Sequence, residues 1–115
     1  MNYEILSTEY FDRQAKQLSK KYHSFTDDLE SLKKELKKNP TMGDEISGTI
    51  RKVRMAIASK NKGKRAGARV ITYGLLIDVE NTKIYLLTIY DKSNQESISK
   101  EEIKILRSLC QLINN

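Results

Sequence analysis

The spacing of the apolar residues in this chain changes at Pro40. Phe11, Ala15, Leu18 and Tyr22 recur at intervals of four, three and four, and Phe25, Leu29, Leu32 and Leu36 repeat the same intervals. Each set falls on one stripe of an α-helix. His23-Ser24 separates the two stripes, so they predict an antiparallel helical hairpin. Ser7 or Thr8 can cap the first helix, and Ser24 with Asp27 gives a weaker start signal for the second. Lys33, Lys34, Lys37 and Lys38 suit the last turn against the helix dipole, and Asn39-Pro40 stops it.

Beyond the proline the period becomes two. Val53, Met55 and Ile57 alternate with Lys52, Arg54 and Ala56, which predicts a strand with one apolar and one partly cationic face. Ser59 to Gly67 reads as a loop. Ala68 to Ile77, rich in β-branched and aromatic residues, reads as a strand on which Arg69, Ile71 and Tyr73 share a face. Asp78 to Thr82 holds a turn, and Lys83 to Asp91 is a third strand, apolar enough to be central. Ser99 and Glu102 have capping-box spacing, flanked by Ile98 and Ile103 at staple positions. Ile103, Leu106, Cys110 and Ile113 continue as a helical stripe. With a short strand at Tyr3–Ser7, the order is β-α-α-β-β-β-α. This predicts an α+β fold, one domain over residues 1–115, with a mostly antiparallel sheet.

Charge is concentrated in the β-like half. Residues 51–69 hold Arg51, Lys52, Arg54, Lys60, Lys62, Lys64, Arg65 and Arg69, with no acidic residue among them. That is +8 locally against +6 for the chain, leaving −2 for the other 96 residues. Cations fixed on strands beside a cationic loop suit a phosphodiester backbone. The plain alternative is a solvated basic hairpin. No apolar run approaches the ~20 residues of a membrane helix. The amino terminus lacks a signal-peptide pattern and the chain has a single cysteine, so the expected location is cytoplasmic.

Familiar catalytic signatures are missing, including phosphate-binding and dinucleotide-binding glycine motifs. With one histidine, His23, and one cysteine, Cys110, no His/Cys zinc cluster can form within the chain, and no metal or other cofactor is expected. His23 reads as a surface loop residue and Cys110 as a small core residue. Asp27-Asp28, Asp44-Glu45 and Glu101-Glu102 read as caps and solvated faces. What remains is cations and tyrosines on strands. RNA can be cleaved without a metal when its own 2′-hydroxyl attacks. The protein then aligns that oxygen, stabilises the charge of the phosphorane and protonates the leaving oxygen.

Two stretches, RKVRMAIASKNKGKRAGARVITY (51–73) and IYLLTIYDKSNQESISKEEIKIL (84–106), together with the order of elements, resemble the RelE/HigB family of bacterial type II toxins. The likeness covers nearly the whole chain. It implies a RelE-like fold and a ribosome-dependent, metal-independent mRNA endonuclease that halts translation and is restrained by a cognate antitoxin. By the same resemblance, the family's cationic positions fall on Lys52, Arg54, Arg69 and Lys92. Lys60, Lys62, Lys64 and Arg65 would grasp RNA, with Arg51 beside them. The tyrosine that some members carry near the C-terminus has no counterpart, the nearest position being Ile98. Tyr90 or Tyr73 is left to move a proton. Two alternatives stay open: a toxin of the ParE branch directed at gyrase, and a non-catalytic RNA- or DNA-binding module.

Overall fold

In a computed structural model, which describes residues 2–114, both helical stripes form as the spacing dictates. Strand β1 (Asn2–Ser7) leads into α1 (Glu9–Lys21), and α2 (Phe25–Lys38) follows after a short turn. Thr8 is the cap of α1: its hydroxyl accepts from the Phe11 amide at 3.0 Å and donates to the Leu87 carbonyl at 2.9 Å. One side chain thus starts the helix and fastens it to the sheet. Ser24 makes no capping bond. Its hydroxyl bonds Asp28 and Ser59 instead.

Four further strands and one helix complete the fold: β2 (Asp44–Ser47), β3 (Ile50–Met55), β4 (Ala68–Leu76), β5 (Asn81–Asp91) and α3 (Lys100–Asn114). The strand order is β1-β5-β4-β3-β2. The pairings are antiparallel except for β1, which runs parallel to β5. The α+β architecture and the mostly antiparallel sheet therefore hold, and β5 lies inside the sheet as its apolar sequence requires.

The sequence reading omitted β2. Its residues, Asp-Glu-Ile-Ser, have low strand propensity, and what makes them a strand is pairing with β3 through a tight turn. Gly48 supplies that turn at φ 57, a left-handed value that glycine adopts without strain. The two strands also match in charge, with Asp44 opposite Lys52 and Glu45 opposite Arg51.

Alternate residues divide the sheet between two cores. Val53, Met55, Ala68, Val70, Leu86 and Ile89 pack under the hairpin with Phe11, Leu18, Phe25, Leu32 and Leu36. Ile50, Ile71, Tyr73 and Leu87 pack under Leu106 and Cys110 of α3. The capping box of α3 is made: Ser99 Oγ accepts from the Glu102 amide at 3.1 Å, and the Glu102 carboxylate accepts from the Ser99 amide at 3.3 Å. Among the described residues, no helix is long and apolar enough to cross a membrane.

Candidate nucleic-acid interface

Three of the singled-out residues lie in one row across the sheet. Arg54 on β3 is the register partner of Arg69 on β4, and Arg69 is the partner of Tyr90 on β5. Alternation puts the three side chains on the α3 face. One step along, Lys52 pairs with Ile71, on the same face as Arg54. Lys92 follows directly after β5, its amide donating to the Gly67 carbonyl at 3.0 Å and its ammonium to the Glu96 carbonyl at 2.7 Å. Arg54, Arg69, Tyr90 and Lys92 thus converge at one end of β3–β5.

These residues differ in what they are free to do. Arg54 is exposed. Arg69 is 5% exposed and already engaged: Nη1 donates to the Lys64 and Ala68 carbonyls at 3.2 Å, and Nη2 to the Arg65 carbonyl at 2.7 Å. Burial, and then the neighbouring Arg54 charge, lower the Arg69 pKa, with Tyr90 acting against them. The Arg69 guanidinium therefore clamps the preceding loop and keeps little surface for a ligand. Tyr90 is buried, and its hydroxyl has no hydrogen-bond partner among the described residues. Its phenol pKa is raised, first by burial and further by Glu102, against the opposing Arg69 charge. The raised pKa keeps the phenol protonated.

The segment read as a loop is built from short turns. It contains two 3₁₀ turns, Ala58–Lys60 and Lys64–Ala66. The chain then returns against β3 so closely that a Cβ on Gly67 would stand 2.1 Å from the Met55 carbonyl oxygen. Only glycine fits there.

The four loop cations accordingly split. Lys62 and Arg65 are exposed and form no ion pair among the described residues. Lys64 reaches Glu35 on α2 at 3.1 Å, both groups being half-exposed. Lys60 is engaged within the fold. Its side chain is 10% exposed, and its ammonium donates to Asp91 Oδ1 at 2.8 Å and Ser93 Oγ at 2.6 Å. The Lys60 ammonium is thus held by Asp91 and Ser93 rather than turned to solvent. Arg51 also separates from the group: it shares a face with Val53 and Met55, so it lies on the hairpin side, away from Lys52 and Arg54.

Sequence reasoning missed Asp91, which organises this end of the sheet. Its buried carboxylate accepts from Lys60, from the Tyr22 hydroxyl and from the Ser93 amide at 2.9 Å, with Lys21 at 3.7 Å. The Lys60 and Tyr22 bonds outweigh desolvation and hold its pKa down at about 2. The available signal was an acidic residue closing an apolar strand, where burial demands a partner. Among the described residues, no group of three or more His, Cys, Asp or Glu side chains could hold a metal ion. No protein-family model matches the sequence.

Proposed function

We propose that this protein is the toxin of a bacterial type II toxin–antitoxin pair and cleaves mRNA on the ribosome without a metal. The observation that carries the reading is the register row Arg54–Arg69–Tyr90, with Lys52 and Lys92 beside it. Phosphodiester cleavage by the RNA's own 2′-hydroxyl asks for positive charge at the phosphorane and a proton donor at the leaving oxygen. As the 2′-oxygen–phosphorus bond forms, the bond to the 5′-oxygen breaks, leaving a 2′,3′-cyclic phosphate and a 5′-hydroxyl. The proton lost by the 2′-oxygen passes to solvent.

In this reading the exposed Arg54 and the half-buried Lys52 meet the phosphate, with Lys92 at the edge. Arg69 is a positioning residue that sets the loop bearing Lys62 and Arg65. Tyr90, whose protonated hydroxyl is buried in the unbound protein, gives its proton to the leaving oxygen once RNA binding uncovers it, and takes one back from solvent. A cognate antitoxin restrains the protein by covering the cationic end, or by packing on the helical hairpin and barring entry to the ribosome.

A second reading, a module that only grips phosphates, draws on the burial of the Tyr90 hydroxyl and the saturation of Arg69. Induced expression in a bacterial host, with genome-wide mapping of mRNA 5′ ends, separates the two. The nuclease reading expects growth arrest and new 5′-hydroxyl ends inside coding sequence, both lost in Arg54→Ala. Intact mRNA in cells that contain the folded protein would leave the gripping module as the account.

A further inference from the structure

Beyond Leu86 the strand β5 has no further pairing with β1, and its open edge is covered by α1 instead. A cavity of about 170 Å³ lies there, between α1 and the turn after β5. Its lining combines an apolar floor, Leu18 and Ile89, with four carboxamides: Gln14, Gln17, Asn94 and Gln95. Tyr90 borders it at the strand end while its side chain belongs to the α3 face, so the cavity and the cationic row meet only at the end of β5. The ionised group at its wall, Asp91, is already neutralised by Lys60 and Lys21. The cavity is therefore polar but uncharged, beside a strip of cations.

Two of the amides are held in fixed senses. The Gln14 carbonyl oxygen accepts from the Ile89 amide at 3.1 Å and from the Thr88 hydroxyl, which leaves its NH₂ group as the donor. In Gln95 the NH₂ group donates to the Ser97 carbonyl at 2.8 Å and to Glu102 at 2.7 Å, which leaves its carbonyl oxygen as the acceptor. The surrounding bonds fix both orientations. A set donor and a set acceptor around one small cavity match the edge of a nucleobase, which carries both at fixed positions. Carboxamides suit such edges, and an apolar floor suits the flat faces. A phosphate or a carboxylate would find no free cation in the lining.

The geometry points to a nucleobase subsite in this cavity, which reads one base of the RNA whose backbone lies on the cationic row. The inference rests on the RNA-directed reading above, and adds that part of the recognition is base-specific.

The test is equilibrium binding of the full chain to labelled RNA tetranucleotides of a single base, 2′-O-methylated so that they resist cleavage. An abasic ribose-phosphate tetramer reports the backbone contribution alone. The wild type should separate the four bases by at least about fivefold in affinity. Asn94→Ala and Gln17→Ala, both at exposed positions, should compress that spread and leave abasic binding within about twofold. Equal affinity of the wild type for all four bases overturns the subsite. So does an unchanged spread in both variants, or an equal loss on the abasic probe. Binding is read without ribosomes or turnover. A chain that separates the bases but cuts no mRNA keeps the subsite and refutes the nuclease, and one that cuts mRNA without separating them does the reverse.

Discussion

Lys60 and Asp91, thirty-one positions apart, form an ion pair at 2.8 Å with the carboxylate 1% exposed. The contact joins the start of the cationic loop to the end of β5, and Tyr22 brings the end of α1 to the same carboxylate. The loop is thereby anchored at one end by a charge pair and at the other by the Arg69 clamp.

Acid should release the first anchor. The Asp91 pKa is lowered in the folded state, so its stabilisation is complete above the ordinary carboxylate pKa and is lost as pH falls from about 4 towards about 2. A drop from 3.8 to about 2 corresponds to roughly 2 kcal/mol. Urea denaturation across that window should show this loss in the wild type, and a correspondingly flatter profile in Asp91→Asn. At neutral pH, Asp91→Asn should cost about 3 kcal/mol, because the buried Lys60 ammonium is left unpaired. Identical profiles for the two proteins would exclude this role.

Arg54 and Arg69 should behave differently although they face each other. Arg54→Ala removes an exposed cation and one side of a like-charge pair, so the thermal transition should hold or rise slightly. RNA cleavage should fall by roughly 2–4 kcal/mol in barrier terms, or about 30- to 1,000-fold. Arg69→Ala strips donors from the Lys64, Arg65 and Ala68 carbonyls and should destabilise the fold by about 1–3 kcal/mol. Calorimetry on both variants checks the contrast, and an unshifted transition in Arg69→Ala would contradict the clamp.

Salt should distinguish the loop cations. Neutralising Lys62 or Arg65 should reduce the slope of log affinity for single-stranded RNA against log salt by roughly 0.7 per lost phosphate contact. Lys60→Ala should lower stability instead. An RNA-binding titration at several salt concentrations, run beside a denaturation curve, reads both effects.

Gly67→Ala should be among the most damaging single changes in the chain. The new methyl would overlap the Met55 carbonyl, and moving the backbone there displaces Arg69 and the loop together. A loss of about 2–4 kcal/mol by chemical denaturation is expected, in the range of a severe steric change. A loss below about 0.5 kcal/mol would mean that the return of the loop has room to yield.

The elements most legible in the sequence were those where local preference and burial agree. The stripe Phe11–Leu18, the capping box at Ser99 and the alternation Lys52–Val53–Arg54–Met55 each carry their own signal. The strand β2 did not, because Asp44 and Glu45 have little strand preference of their own and become a strand only by pairing with β3 across Gly48. At the candidate site, the residue types on β3 and β4 were readable, but their availability was not. Whether Lys60 is free depends on Asp91, and whether Arg69 is free depends on carbonyls four and five residues back, set by a 3₁₀ turn. Arg51 shows the same limit more simply: its neighbours in sequence share its charge, but alternation sends it to the other face.

The parallel pairing of β1 with β5 sets Asn2 opposite Asn81 and Ser7 opposite Leu86. During synthesis, the first strand has nothing to pair with until the chain has been made past residue 81 of 115. The two amphipathic helices precede the sheet they cover, and such distant closure is slow compared with helix formation. Tyr90 is the last member of the row to be made, so the row cannot exist on a nascent chain before β5 is complete. If the cationic row is what harms the cell, an unfinished copy is harmless, and the moment at which the row closes is also the first at which a partner recognising the folded surface has anything to hold.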